Sequence, residues 1–312
     1  SLSQICAAAF SPFILGVAPN FFGVDKFSQL ANITNLSEYF SHPQRKSWQQ
    51  LRMMEDSRFI GLVLPSILLR KERENTQRGY ENLFKTQNND LWGNASFTFA
   101  SVVINSFVEY GWFSDIRGYS GTKSLKGLVS HSLEWFHSSD TYLRNSFSNL
   151  DLVLSDKLEH ELSNEGFIPL TYQNLTKSNI YFSNNSVFKS PVDTNNEALV
   201  NIRLTSMLQY TLCVSRVAHY IKIMFRNKVG SYLSADQCQN TLQSWLNKYT
   251  SASENSSEEI KSRFPLKSAI AQVTESQSRD GKYYAKLYLQ PHFQFDHLNA
   301  NIRLVTELTH RN

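Results

Sequence analysis

Glycine is scarce, at 12 of 312 residues. Loops that cradle phosphate need it for close backbone approach, so a nucleotide fold starts at a disadvantage. Cysteine occurs three times, as Cys6, Cys213 and Cys238, far apart and with no CxxC or Cys/His pairing. That points to neither a disulfide framework nor a zinc site, and it suits a reducing compartment. No apolar run is long enough to cross a bilayer, and no signal peptide is visible. A charge of one sign is missing too. Basic residues number 31 and acidic residues 27, for a net charge of +4. This gives no reason to expect a surface for nucleic acid or membrane. What is present, 41% hydrophobic and 13% aromatic residues, describes a core-forming chain of one large or two medium domains.

The strongest local signal runs from Ala198 to Gly230. It has no proline, and its first glycine, Gly230, sits where a helix C-cap would. As one helix it would be about 30 residues and roughly 45 Å long. Leu204, Met207, Leu208, Leu212, Val217, Ile221 and Phe225 cover more than one face, which predicts a buried scaffold helix. Arg203, Arg216, His219 and Lys222 interrupt the apolar surface and exclude a membrane span. They form a candidate polar seam, expected to meet a carboxylate elsewhere.

Elsewhere the pattern predicts a short buried helix ending near Ser11. A second helix is expected from His42 to Asp56, with Trp48, Leu51 and Met54 on its apolar stripe. Arg58 to Pro65 reads as a buried strand, and Lys71 to Asp90 as an exposed loop. A core helix is expected over Leu91 to Tyr110, using Phe97, Val102, Ile104, Phe107 and Val108. Trp112 to Arg117 reads as a short strand. Asp156 and Glu159 resemble a capping box for a helix closed by Gly166. Phe167 to Tyr172 and Ile180 to Phe182 read as strands, with a polar turn over Gln173 to Asn179 between them. An amphipathic helix is expected over Ser234 to Tyr249, then a linker from Thr250 to Lys261. Three β-prone segments end the chain: Pro265 to Glu275, Lys282 to Gln290 and Ala300 to Leu308.

Catalytic patterns find little support. Gly118 to Ser124 looks like a faded phosphate loop, but Thr122 stands where glycine must precede Lys123. A plain turn is the better reading, and a nucleotide-binding hydrolase using this loop is the alternative function. His292 and His297 lack a convincing ligand spacing and read as an ordinary loop pair. Glu55, Asp56 and Arg58 suit a cap and salt bridge at an element junction. No nucleophile elbow or zinc-protease helix is present, and no enzyme or cofactor is expected.

Several stretches, taken in order, resemble a known family. They are Trp48 and Arg52 with Glu55-Asp56-Ser57-Arg58-Phe59-Ile60-Gly61-Leu62-Val63-Leu64-Pro65, then Leu91-Trp92-Gly93-Asn94-Ala95. Gly111-Trp112 with Ile116-Arg117-Gly118 and Glu165-Gly166-Phe167-Ile168-Pro169-Leu170 follow. The series ends with Arg203-Leu204, Leu208-Gln209-Tyr210, Ser215 to Lys222, Leu289-Gln290-Pro291-His292-Phe293 and Ile302 to Leu308. Together they resemble the large subunit of the type VI secretion contractile sheath (the TssC/VipB/IglB family). Lys71-Glu72-Arg73 replaces a usual turn after Arg70, and Leu308 is not followed by the usual proline. These departures resemble a divergent, IglB-like branch. The family's N-terminal region, which pairs with the small subunit, is expected to be missing here.

The resemblance implies an α/β (mixed α+β), phage-tail-sheath-like fold. A long core helix, mixed sheets and a C-terminal strand region that pairs with neighbouring subunits belong to it. It implies a middle and outer region over residues 1–197 and an inner, strand-exchanging region over 198–312. The implied partners are a small sheath subunit (TssB/VipA/IglA-like), further copies of the chain in a helical sheath, and an Hcp-like inner tube. Neither nucleic acid nor membrane insertion is implied, and the implied location is the bacterial cytoplasm, docked to a membrane-anchored baseplate. The expected strand-pairing residues are Tyr284, Leu287, Leu289, Ile302, Leu304, Val305 and Leu308.

Overall fold

The computed structural model describes residues 2–33, 35–70, 91–119, 126–129, 149–174, 176–189, 206–227, 234–253, 257–275, 283–292 and 302–308. The loop expected over 71–90, Lys123, Arg203, Gly230 and His297 lie outside the described residues.

Ile60–Leu64 is apolar throughout, as a strand covered on both faces must be. It forms β2, with β1 (Phe13–Gly16) parallel on one side and β5 (Ile168–Gln173) parallel on the other. β6 (Ser178–Tyr181) returns antiparallel to β5, giving the order β1-β2-β5-β6. β3 (Ser66–Arg70) and β4 (Leu91–Asn94) pair as a separate antiparallel ribbon.

Short helices cover this sheet. α1 (Leu2–Ala9) ends two residues short of Ser11, and it lies on the surface rather than buried, covering Ser3 and Cys6 while Leu2 and Ile5 are exposed. α2 (Leu36–Ser41) and α3 (Lys46–Met53) bring Phe40 and Trp48 against Phe22, Phe27, Leu30 and Phe167. Trp48 stacks on Phe167 with ring centroids 5.4 Å apart. The helix expected from His42 to Asp56 is shorter, because Met54 is extended (φ −77°, ψ 128°) and exposed. Ser57 Oγ donates to the Met54 carbonyl at 2.6 Å and holds the chain in a 3-10 turn there. Arg58 then donates from Nε to the Glu55 carbonyl and stacks over Phe188, so the charged knot is a junction fastener.

α5 (Asp156–Asn164) is capped one residue earlier than expected. The Ser155 side chain accepts from Leu158 N–H, while Glu159 accepts from Ser183 Oγ at 2.8 Å. Burial raises the Glu159 carboxyl above the usual range. At the other end Gly166 has φ +85°, a conformation only glycine adopts without strain.

α4 (Ser96–Tyr110) departs furthest from the expected helix. Leu91–Asn94 is strand β4, and the buried face of α4 is Phe99, Val102, Val103 and Ser106. Phe97, Ile104 and Val108 are 78%, 59% and 77% exposed. At 3.6 residues per turn they lie roughly 160° round the helix from the buried face. Replacing Phe97 and Val108 with serine is therefore expected to change stability by only about 0.5 kcal/mol per site. Phe99→Ala is expected to cost about 3–5 kcal/mol. Chemical denaturation followed by circular dichroism separates the two.

Trp112 to Arg117 is irregular rather than a strand. Side-chain bonds hold it so, with Ser106 Oγ donating to the Trp112 carbonyl (3.1 Å) and accepting from Asp115 N–H (3.4 Å). The long helix, α6 (Leu208–Asn227), begins after Met207, which bridges to Asn185; residues 198–205 and 228–230 of the expected helix lie outside the described residues. α7 (Ala235–Asn247) follows with a capping box of Ser234 and Gln237. Part of the expected linker folds as α8 (Glu258–Arg263), docked where Ser114 Oγ donates to the Ser262 carbonyl at 2.9 Å.

Candidate assembly interface

All three expected C-terminal strands form. β7 (Leu266–Glu275), β8 (Tyr283–Pro291) and β9 (Ile302–Leu308) make one antiparallel sheet in that order. Alternation sets its faces. Ala269, Ala271, Val273, Ala285, Leu287 and Leu289 are buried against Val217, Ala218 and Ile221 of α6 and Leu242 and Leu246 of α7. Ile270 and Tyr284 face outward, 55% and 36% exposed. Of the expected pairing residues on β8, two therefore belong to the core and Tyr284 to the surface.

β8 is paired on both sides by its own chain, so an added strand must meet an outer edge. The N–H groups of Ala271 and Val273 point away from β8, onto α7. Their opposites, Leu287 and Ala285, must then exchange hydrogen bonds with β9, at Leu304 and Thr306. Along β9 the backbone groups of Ile302, Leu304 and Leu308 are turned inward. Those of Arg303, Val305 and Glu307 are turned outward, and no strand meets that edge among the described residues. Reasoning from apolar alternation selected the inward set plus Val305. The outward backbone signal is the intervening polar set, Arg303 and Glu307.

Among the described residues, Arg216, His219 and Lys222 of the expected polar seam meet no carboxylate. Arg216 is set among rings, its guanidinium 4.1 Å from the Phe107 centroid and 4.8 Å from that of Tyr220, whose hydroxyl it also contacts. His219 Nε2 lies 2.9 Å from the Ala9 carbonyl, and Lys222 Nζ lies 4.8 Å from the Phe10 ring centroid. Both side chains thus meet the C-terminal end of α1, where the helix dipole favours the positive charge of Lys222. Arg216 ties α4 to α6, and His219 with Lys222 tie α1 to α6. Cys213 is half-buried on the same helix, and burial pushes its thiol up to about 12.

Of the expected Gly118–Ser124 loop, residues 120–124 lie outside the described residues, and Gly118 itself packs against Gly127 and Tyr181. Gly118 N–H donates to the Tyr181 carbonyl (2.7 Å), Gly127 N–H to Gly118 (3.0 Å), and Tyr181 N–H to Gly127 (2.9 Å). A Cβ on Gly127 would stand 2.3 Å from the Tyr181 carbonyl oxygen, so glycine is required for three backbones to cross. Among the described residues no group of three His, Cys, Asp or Glu side chains could hold a metal. An apolar cavity of about 20 Å³ lies between Trp112, Cys213, Val217, Leu266, Leu289 and His292, room for about one water.

Comparison with known proteins gives the family. Residues 1–188 match the family described as EvpB/VC_A0108 tail sheath N-terminal domain, and residues 197–308 match its tail sheath gpW/gp25-like domain. The type VI secretion system sheath protein TssC1 of Pseudomonas aeruginosa is 31% identical over 98% of this chain. The chain spans 62% of the length of that relative. A crystal structure of the sheath tail protein Lin1278 from Listeria innocua aligns over 51% of this chain and 35% of its own, at 10% identity and a TM-score of 0.35. On the two domain matches and the TssC1 likeness, the chain belongs to the VipB/EvpB tail sheath family, the large subunits of the type VI secretion sheath.

Proposed function

We propose that this chain is a wall subunit of a contractile tube. It joins a small sheath subunit and further copies of itself in a helical sheath around an Hcp-like inner tube. The stroke is a change from one packing of subunits to another, with no bond chemistry, and it drives the inner tube outward. The observation that carries this reading is that both halves of the chain match tail sheath domains. We assign residues 1–197 to the outer wall and 198–312 to the inner wall, and place the sheath in the bacterial cytoplasm on a membrane-anchored baseplate.

Two surfaces support assembly. The outer edge of β9, which no strand meets among the described residues, suits a strand from a neighbouring subunit, because backbone pairing tolerates sequence change and survives rotation of the bodies it joins. The outward stripe of α4 is the kind of apolar surface that subunits bury. Among the described residues no helix is long and apolar enough to cross a membrane. Co-expression with the small sheath subunit, followed by negative-stain imaging, is expected to show tubes or cogwheel-shaped sheath fragments. Dispersed particles at every ratio of the two chains would refute the proposal.

A further inference from the structure

The outer edge of β7 is closed by side chains where a strand would otherwise lie. α7 runs alongside it. Gln243 donates from Nε2 to the Ala269 carbonyl at 2.8 Å and accepts from the Ala271 N–H at 2.9 Å. One helical turn earlier, Gln239 Oε1 accepts from the Val273 N–H at 3.1 Å. The spacing explains the fit. Four residues of helix rise about 6.0 Å, and two residues of antiparallel strand advance about 6.8 Å. An i, i+4 pair on a helix antiparallel to the strand therefore reaches alternate residues of its edge. Gln243 makes both bonds that one residue of a neighbouring parallel strand would make, and a third bond to Asn247 Oδ1 (2.8 Å) fixes its orientation.

The core does not call for glutamine at these positions. Cys238, Leu242 and Leu246 fill the contact with the sheet, and both glutamines are only half-buried beside them. Any long helix-forming residue would cover the surface as well. Only a primary amide offers an uncharged donor and acceptor together at this length. A ten-residue strand left open would be a template for a second copy of itself.

We propose that Gln239 and Gln243 are an edge guard, which occupies the hydrogen-bonding groups of β7 so that a second copy of the chain cannot pair with it. The guard is separate from the β9 edge and does not depend on strand exchange there.

The test compares the full-length protein with its Gln239→Ala/Gln243→Ala variant by sedimentation velocity over a concentration series and by amide hydrogen exchange. The variant is expected to self-associate at a concentration at least tenfold lower. At high dilution its Ala271 and Val273 amides are expected to exchange at least tenfold faster than in the unaltered protein. Adding Ala271→Pro removes an outward N–H without costing a bond to β8, and should return association to the original level. Gln243→Met keeps length and helix propensity while losing both polar atoms, and should shift both readouts in the same direction. It replaces the alanine pair if that pair lowers the thermal midpoint. Unchanged association with unchanged exchange at Ala271 and Val273 would overturn the proposal, as would association that persists with Ala271→Pro.

Discussion

Replacing Glu165 with alanine is expected to lower the free energy of unfolding by about 3–5 kcal/mol. The cause is Arg52, which is 4% exposed and ion-paired to Glu165. Its other two nitrogens are bonded as well. Nε donates to the Val187 carbonyl at 3.1 Å and Nη2 to the Asn164 carbonyl at 2.7 Å. Burial lowers the arginine pKa, and only the carboxylate opposes that effect. Removing the carboxylate leaves a guanidinium out of water with carbonyls alone. A domain is typically stable by about 5–15 kcal/mol, so this loss is a large share of the whole. Arg52→Met combined with Glu165→Leu is expected to recover most of it, because the desolvation cost leaves with the charges. Urea denaturation of the three proteins measures both effects. A Glu165→Ala cost below about 1 kcal/mol would contradict the assignment of a dry ion pair.

Proline at Leu304 or Val305 is expected to abolish sheath assembly with the small subunit, by two different routes. The Leu304 N–H is turned toward β8, so its loss detaches β9 from its own sheet. The Val305 N–H is turned outward, so Val305→Pro leaves the internal ladder complete and removes a donor from the open edge. Each backbone bond is worth about 1 kcal/mol net, and 1.4 kcal/mol is tenfold in an equilibrium constant. A helical tube repeats the loss at every subunit, which turns a modest change into an all-or-none one. Ile302→Asp is expected to block assembly as well. Thermal midpoints should stay close to the original in all three, since β9 is an edge strand. Sheaths of normal length by electron microscopy in Val305→Pro would show that the outer edge of β9 is not where neighbours attach.

Much of this fold is legible in the amino-acid order where the cause is local. Apolar runs of strand length marked β2 and β5, and polar turns with alternation marked the three C-terminal strands. Periodicity placed α6 but not its start, since the Met207 bridge depends on Asn185, which is distant in sequence. The face of α4 was misread for a similar reason. Phe97, Ile104 and Val108 are as apolar as Phe99 and Val102, and only the position of the sheet decides which set is covered. The cap of α5 slipped by one residue because Glu159 is drawn to Ser183, leaving Ser155 to cap. Arg216 was expected to find a carboxylate, yet Phe107 and Phe113, brought in by α4 and the bend after it, supply ring faces instead. The open edge of β9 follows from hydrogen-bond parity, which side-chain pattern does not encode.

The partners of Arg52 on Glu165 and Val187 lie 113 and 135 residues along the chain. The ion pair cannot form until α3, α5 and the segment after β6 have all met. The β7–β8 hairpin with α7, by contrast, closes over a short stretch. Loop-closure entropy makes distant pairings slow and neighbouring ones fast. The C-terminal hairpin is therefore expected to fold first, and the N-terminal sheet with its buried charge to be completed last. Loss of the Arg52–Glu165 pair should then accelerate unfolding far more than it slows folding. The buried ion pair is thus expected to act as a kinetic latch on the N-terminal sheet.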